Sequence, residues 1–229
     1  MLGFGIEDLG MDLIDSLSKG ELIRDFPKIK FSKDKICGTC QKGKQAKSSF
    51  KPKNQVSTTR PLELLHMDLV GLSQLASLNG KHYTFVIVDD YSRFCWVAFL
   101  THKSDAFETF KCFTKRVQNE KGYFISSIRS DHGKEFENEV FDNFCSKRGI
   151  SHNFSCPRTP QQNGVVERKN RTLIEMARTM LNEYSLPTYF CVEAINTSCY
   201  ILNRVSKRPI LNKTPMSYGM VKHPTFHIL

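Results

Sequence analysis

The chain has 229 residues, 40% of them hydrophobic, with 17 Phe and a single Trp, enough for one well-buried domain and a small appendage. Its net charge of +10 and pI near 9.2 favour a polyanionic partner, because a positive surface raises local phosphate concentration and association rate. No apolar run approaches the roughly 18 residues needed to span a bilayer, and no low-complexity tract or internal repeat is present, which argues against membrane-spanning and repeat classes.

Residues 1 to 32 carry loosely helical apolar spacing at Leu9, Leu13, Ile14, Leu17, Leu22 and Ile23, which predicts a small, mostly helical N-terminal module. The first residues lack a basic n-region and carry acids within the apolar segment, unlike a secretory signal. Eight cysteines are scattered, and only Cys37 and Cys40 form a close pair, as expected of a reduced, non-secreted protein. Residues 33 to 55 hold seven lysines against the single acid Asp34 and form a basic linker.

From residue 61 the pattern tightens. Leu64–Val70, Tyr83–Val88 and Phe94–Leu100 predict three strands, rich in β-branched and aromatic residues. Asp89-Asp90-Tyr91-Ser92 suits a hairpin turn between the second and third. Ser104 and Asp105 open a helix with Ala106, Phe107, Phe110, Phe113 and Val117 on one face. Phe124–Ser130 is a fourth strand. Phe136, Val140, Phe141, Phe144 and Cys145 mark a second helix stopped by Gly149, and Ile150–Ser155 is a fifth strand. Two prolines and two glutamines make 156–163 a loop; a long amphipathic helix follows from Gly164 to Tyr184. Pro187 begins a last helix running to about Asn203. This order is similar to that of the ribonuclease H-like fold, an α/β architecture with a mixed five-stranded sheet flanked by helices.

Three carboxylates stand out on these elements. Asp68 lies within the first strand, Asp131 closes the fourth, and Glu167 opens the long helix; thirty-five residues separate the last two. Carboxylates so placed can converge on two divalent cations, hard ions that prefer oxygen ligands and stabilise both oxygens of an in-line phosphoryl displacement. Gathered without a cation, they repel one another and raise their own pKa values. Singly, each has a structural explanation, as a turn former or as a helix-dipole partner; their conjunction with the fold outweighs it. Asp89 and Asp90 are decoys, since neighbours on a strand point to opposite sides.

Arg171 follows Glu167 by one turn, where it can meet phosphate, or pair with Glu167 instead. Lys169, Gln162 and Asn163 are further candidates for DNA contact, with helix capping as the structural reading of Asn163. Arg168 and Arg178 read as solvated.

The chain resembles the integrase core of copia-type long-terminal-repeat retrotransposons. The resemblance rests on C-G-T-C-Q-K-G-K-Q at 37–45, L-E-L-L-H-M-D-L-V-G at 62–71, V-D-D-Y-S-R-F at 88–94, R-S-D-H-G-K-E-F at 129–136 and P-Q-Q-N-G-V-V-E-R-K-N-R-T-L at 160–173. It implies a D-D-E recombinase with Asp68, Asp131 and Glu167 as catalytic residues and ligands of two Mg²⁺ or Mn²⁺ ions. Such an enzyme trims the 3′ ends of element DNA and inserts them into chromosomal DNA, as a homo-multimer, in the nucleus, after a stage in a cytoplasmic particle. The domain division expected is a truncated, zinc-finger-like pre-integrase module with its linker over 1–50, and a catalytic domain over 51–227. In this family two histidines precede the Cys-x2-Cys pair. Here the first histidine is His66, so Cys37 and Cys40 cannot close a tetrahedral zinc site, and zinc is not expected. The chain is expected to be a polyprotein fragment. The competing readings are a non-catalytic nucleic-acid-binding remnant and a ribonuclease H-type nuclease, whose helical Glu falls between the two strand Asp residues.

Overall fold

The structure is a computed structural model that describes residues 57–72, 77, 79–155, 163–208 and 211–218. The N-terminal module, the lysine-rich linker, Cys37, Cys40 and Gln162 lie outside the described residues.

Five strands form one sheet: β1 (Leu64–Gly71), β2 (Tyr83–Asp89), β3 (Cys95–Leu100), β4 (Ser127–Ser130) and β5 (Ser151–Phe154). Their order is β3-β2-β1-β4-β5. The β1–β2 and β2–β3 pairs are antiparallel; β1–β4 and β4–β5 are parallel. Parallel neighbours need long crossovers. Helix α1 (Ala106–Lys121) leads from β3 to β4, and α2 (Glu139–Arg148) from β4 to β5. Helices α3 (Gly164–Glu183) and α4 (Cys191–Val205) follow the sheet in sequence and pack on each other.

The central strands read as nearly unbroken apolar runs because helices cover both faces. Alternation divides their side chains between two cores. Phe85, Ile87, Trp96, Ala98, Leu65 and Met67 join Phe110, Phe113, Phe136 and Phe141 beneath α1 and α2. Val86, Val88, Cys95 and Val97 join Val166, Leu173, Ala177 and Ile195 beneath α3 and α4. On β1 the residues between Leu65, Met67 and the partly buried Leu69 therefore face α3: His66, Asp68 and Val70.

The elements were legible in sequence to within a few residues, and the departures have local causes. The fourth strand starts at Ser127, not Phe124, and Phe124 is 78% exposed. Helix α2 starts at Glu139 because the Asn138 side chain accepts the Phe141 N–H as N-cap. Phe136 therefore precedes the helix and fills the core from a turn, whereas Val140 points outward. Gly149 ends α2 at φ +65°, the left-handed conformation that glycine adopts without strain. A 3₁₀ turn at Thr188–Phe190 separates Pro187 from α4.

Candidate active site

Asp68 sits midway along β1, half-buried on the face toward α3. Its Oδ1 accepts the Leu69 N–H at 2.9 Å and its Oδ2 accepts the Asn170 amide at 2.6 Å. The parallel register pairs Leu64 with Ser127, Leu65 with Ile128 and His66 with Arg129. Asp131 follows two residues after the last of these pairs, directly past the end of β4, and its charge acts on Asp68. There the strand has ended, and Asp131 Oδ1 accepts the Gly133 N–H at 3.2 Å, an Asx-type turn at the exit of β4.

Glu167 is in the first turn of α3 and exposed. It belongs to a stripe formed with Asn163 and Asn170, four residues before it and three after, the spacing of one helix face. Both asparagines are buried on β1, with Asn163 donating to the Met67 carbonyl at 3.4 Å and Asn170 to Asp68. These two bonds hold the helix face that carries Glu167 over the strand that carries Asp68.

The carboxylates bear on one another. Burial pushes the Asp68 pKa up to about 6, the Asp131 charge adds to the rise, and Glu167 contributes in the same direction. The bonds from Leu69 and Asn170 oppose it. Desolvation therefore outweighs the mutual repulsion anticipated from sequence, though both act. Oxygen-donor side chains suit a hard divalent cation chemically, and a cation beside Asp68 would relieve both penalties on it. Among the described residues, however, no group of three or more His, Cys, Asp or Glu side chains is gathered tightly enough to hold a metal ion.

The basic candidates divide. Arg171 is exposed on the face shared with Glu167, and among the described residues no ion pair joins the two. Lys169 is different: two residues on, a helix has turned by about 200°. It is partly buried, and its charge acts on the buried thiols of Cys95 and Cys199 under α4. Helix geometry thus sets Lys169 on a different side of α3 from Glu167 and Arg171. Asn163 is placed differently again. It occupies the N-cap position without a side-chain capping bond, and at 3% exposure it is enclosed against β1 rather than offered to DNA.

Sequence reasoning missed Asn170. An asparagine inside a helix is intrinsically unfavourable, and at i+3 from Glu167 it was a detectable signal. Of the two acids read as hairpin-turn residues, Asp90 lies in the β2–β3 turn whereas Asp89 is the last residue of β2, and both are buried, at 3% and 0% exposed. Asp89 accepts the Leu62 N–H and both the N–H and hydroxyl of Ser92. Asp90 binds the Ser57 and Thr58 hydroxyls, His66 Nε2 and Arg93, while Arg208 donates to its carbonyl. Burial alone would raise its pKa, but His66, Arg93 and Ser57 together hold it well below the usual carboxylate range. This network joins residues 57–58, His66 on β1, the β2–β3 turn and the segment after α4.

A sheet of this order, with acidic groups on its first strand, just past its fourth and on the next long helix, defines a ribonuclease H-like core. Residues 58–160 match the integrase core domain family. The chain is 39% identical over 184 residues, 79% of its length, to the retrovirus-related Pol polyprotein from transposon TNT 1-94 of Nicotiana tabacum. It is 34% identical over 193 residues, 84% of its length, to the corresponding polyprotein from transposon RE2 of Arabidopsis thaliana. It spans 14% and 13% of those two relatives. This chain belongs to the integrase cores of retrotransposon polyproteins. Among solved structures, a chain of the simian T-cell lymphotropic virus intasome in complex with PP2A regulatory subunit B56 gamma superposes with a TM-score of 0.58 at 18% identity, covering 81% of this chain and 64% of that one. The trimeric form of the HTLV-2 integrase catalytic core domain in complex with magnesium gives 0.52 at 22% identity, covering 69% and 97%. At these identities the likeness is one of fold.

Proposed function

We propose that Asp68, Asp131 and Glu167 form the catalytic set of a divalent-metal-dependent polynucleotidyl transferase that trims the 3′ ends of element DNA and joins them to chromosomal DNA. The observation that carries this reading is the register. It runs β4 alongside β1 so that Asp131, just past the end of β4, acts on Asp68 midway along β1, while Asn170 ties Asp68 to the helix bearing Glu167. Such a site, where β4 ends beside β1 near a helix N-terminus, suits a phosphodiester, which the helix dipole favours.

The three carboxylates would hold the cations, two Mg²⁺ or Mn²⁺, which when bound activate the attacking hydroxyl or water and stabilise the leaving oxygen. Glu167, on an exposed first turn, is the member that must swing inward to complete the set. Asn170 anchors Asp68 through its Oδ2. Arg171, one turn on, offers a guanidinium to a neighbouring phosphate. The magnesium of the HTLV-2 core and the intasome setting of the simian viral chain support the same use here, on DNA and as a multimer. A chromosomal target places the action in the nucleus.

The test is strand joining or disintegration of a branched DNA by the full chain with Mn²⁺. Wild type is expected to give product, with Asp131→Asn folded and inactive. Equal product from the two would overturn the enzyme reading in favour of a non-catalytic DNA-binding domain.

A further inference from the structure

An apolar cavity of about 220 Å³ opens between the end of β1, β2, α3 and the start of α4. It begins two residues past Asp68, at Val70, and Asn170, whose amide holds Asp68, forms part of its wall. Among the described residues, two buried polar atoms on that wall have no hydrogen-bond partner: Asn170 Oδ1 and Thr84 Oγ1, on side chains of residues 5% and 3% exposed. Buried polar atoms are almost always satisfied, so an orphaned pair in one cavity marks a missing occupant. Its polarity follows from the bonding. The Asn170 NH₂ must face the Asp68 carboxylate, which accepts, so its carbonyl oxygen is left to receive a donor. Thr84 can donate or accept. Arg178, exposed on α3, lies at the rim and brings positive charge.

We propose that this cavity binds one unstacked nucleobase of the DNA held at the carboxylates, with its polar edge on Asn170 and Thr84, its ring on Leu173 and Ala177, and its phosphate on Arg178. This rests on the DNA-joining reading above. The space suits a single flat ring system and is too small for a base pair, so the nucleotide has to leave the stack, as it does most readily at a frayed or branched end. Asn170 then touches both the base and Asp68, which couples the seating of a DNA end to the geometry of the catalytic carboxylate. On α3, Arg171 and Arg178 lie about 10 Å apart along the axis, at a rise of 1.5 Å per residue, and extend from Glu167 toward the cavity.

The test measures affinity of the full chain, in EDTA so that no strand is cut, for a Y-shaped DNA in which one abasic nucleotide is walked through every unpaired position. The expected result is one position where loss of the base weakens wild-type binding about tenfold, within the range for a single buried base. In Thr84→Val and in Ala177→Leu that penalty disappears, while binding of a fully paired duplex is unchanged. Thr84→Val keeps the side chain's shape and decides the matter if Ala177→Leu does not fold. No sensitive position, or a penalty that survives in Thr84→Val, overturns the proposal and leaves the cavity to water. Absence of binding to any DNA, paired or branched, instead overturns the reading on which it rests.

Discussion

Asp68→Asn is expected to stabilise the domain while destroying its proposed chemistry. In the folded chain the Asp68 pKa stands at about 6 against an ordinary 3.8, so between these values the folded state binds the extra proton. Stability is then greatest below the lower value and is lost as pH rises through the upper one. Two units correspond to roughly 3 kcal/mol as an upper bound, at about 1.4 kcal/mol per unit. Partial solvent access to Asp68 reduces this to about 1–2 kcal/mol. Asparagine keeps an acceptor for Asn170 and carries no charge to desolvate. In EDTA near pH 7 the variant should melt about 3–6 °C above wild type, at the few degrees per kcal/mol usual for domains of this size. The gap should close near pH 4, where wild-type Asp68 is largely protonated. Millimolar Mg²⁺ should raise the wild type and leave the variant nearly unmoved, because only the intact set gains from the cation. Thermal melts across about pH 4–8, with and without the metal, read all three effects. A variant no more stable than wild type near neutrality, or a gap that does not change with pH, refutes the idea that Asp68 is ionised at a cost.

Asn170→Ala removes the donor that steadies the Asp68 carboxylate and opposes its raised pKa, so the acid limb of the pH–rate profile should move upward and the rate fall about 10- to 100-fold; an unshifted acid limb would show that the bond is idle. Arg171→Ala should weaken DNA binding and reduce its salt dependence by about one phosphate contact, measured as the slope of log affinity against log salt. An unchanged slope would put Arg171 away from the DNA. Asp90→Ala leaves His66 and Arg93 without their shared acceptor in a buried setting, with an expected loss of about 3–5 kcal/mol in urea unfolding. A loss under about 1 kcal/mol would mean that the network is dispensable.

The α3-facing parity of Asp68 and the position of Glu167 one turn into a long helix follow from local rules, periods of 2 and 3.6 and the positions of caps and turns. So do the strand and helix assignments, down to the stop at Gly149. These needed no knowledge of what packs where, and five short stretches in a fixed order were enough to suggest the integrase core. What sequence could not supply was pairing between distant segments. That β4 lies beside β1 with Asp131 acting on Asp68 depends on a crossover through α1. That Asn170, rather than Lys169, faces the carboxylate depends on which side of α3 meets the sheet. Asp89 and Asp90 show the same limit: two acids read as turn residues look solvated until Ser57, Thr58 and Arg208, remote in sequence, close over them. Local structure is a property of neighbouring residues, whereas burial, charge coupling and the cavity beside Asp68 exist only once distant segments share one interior.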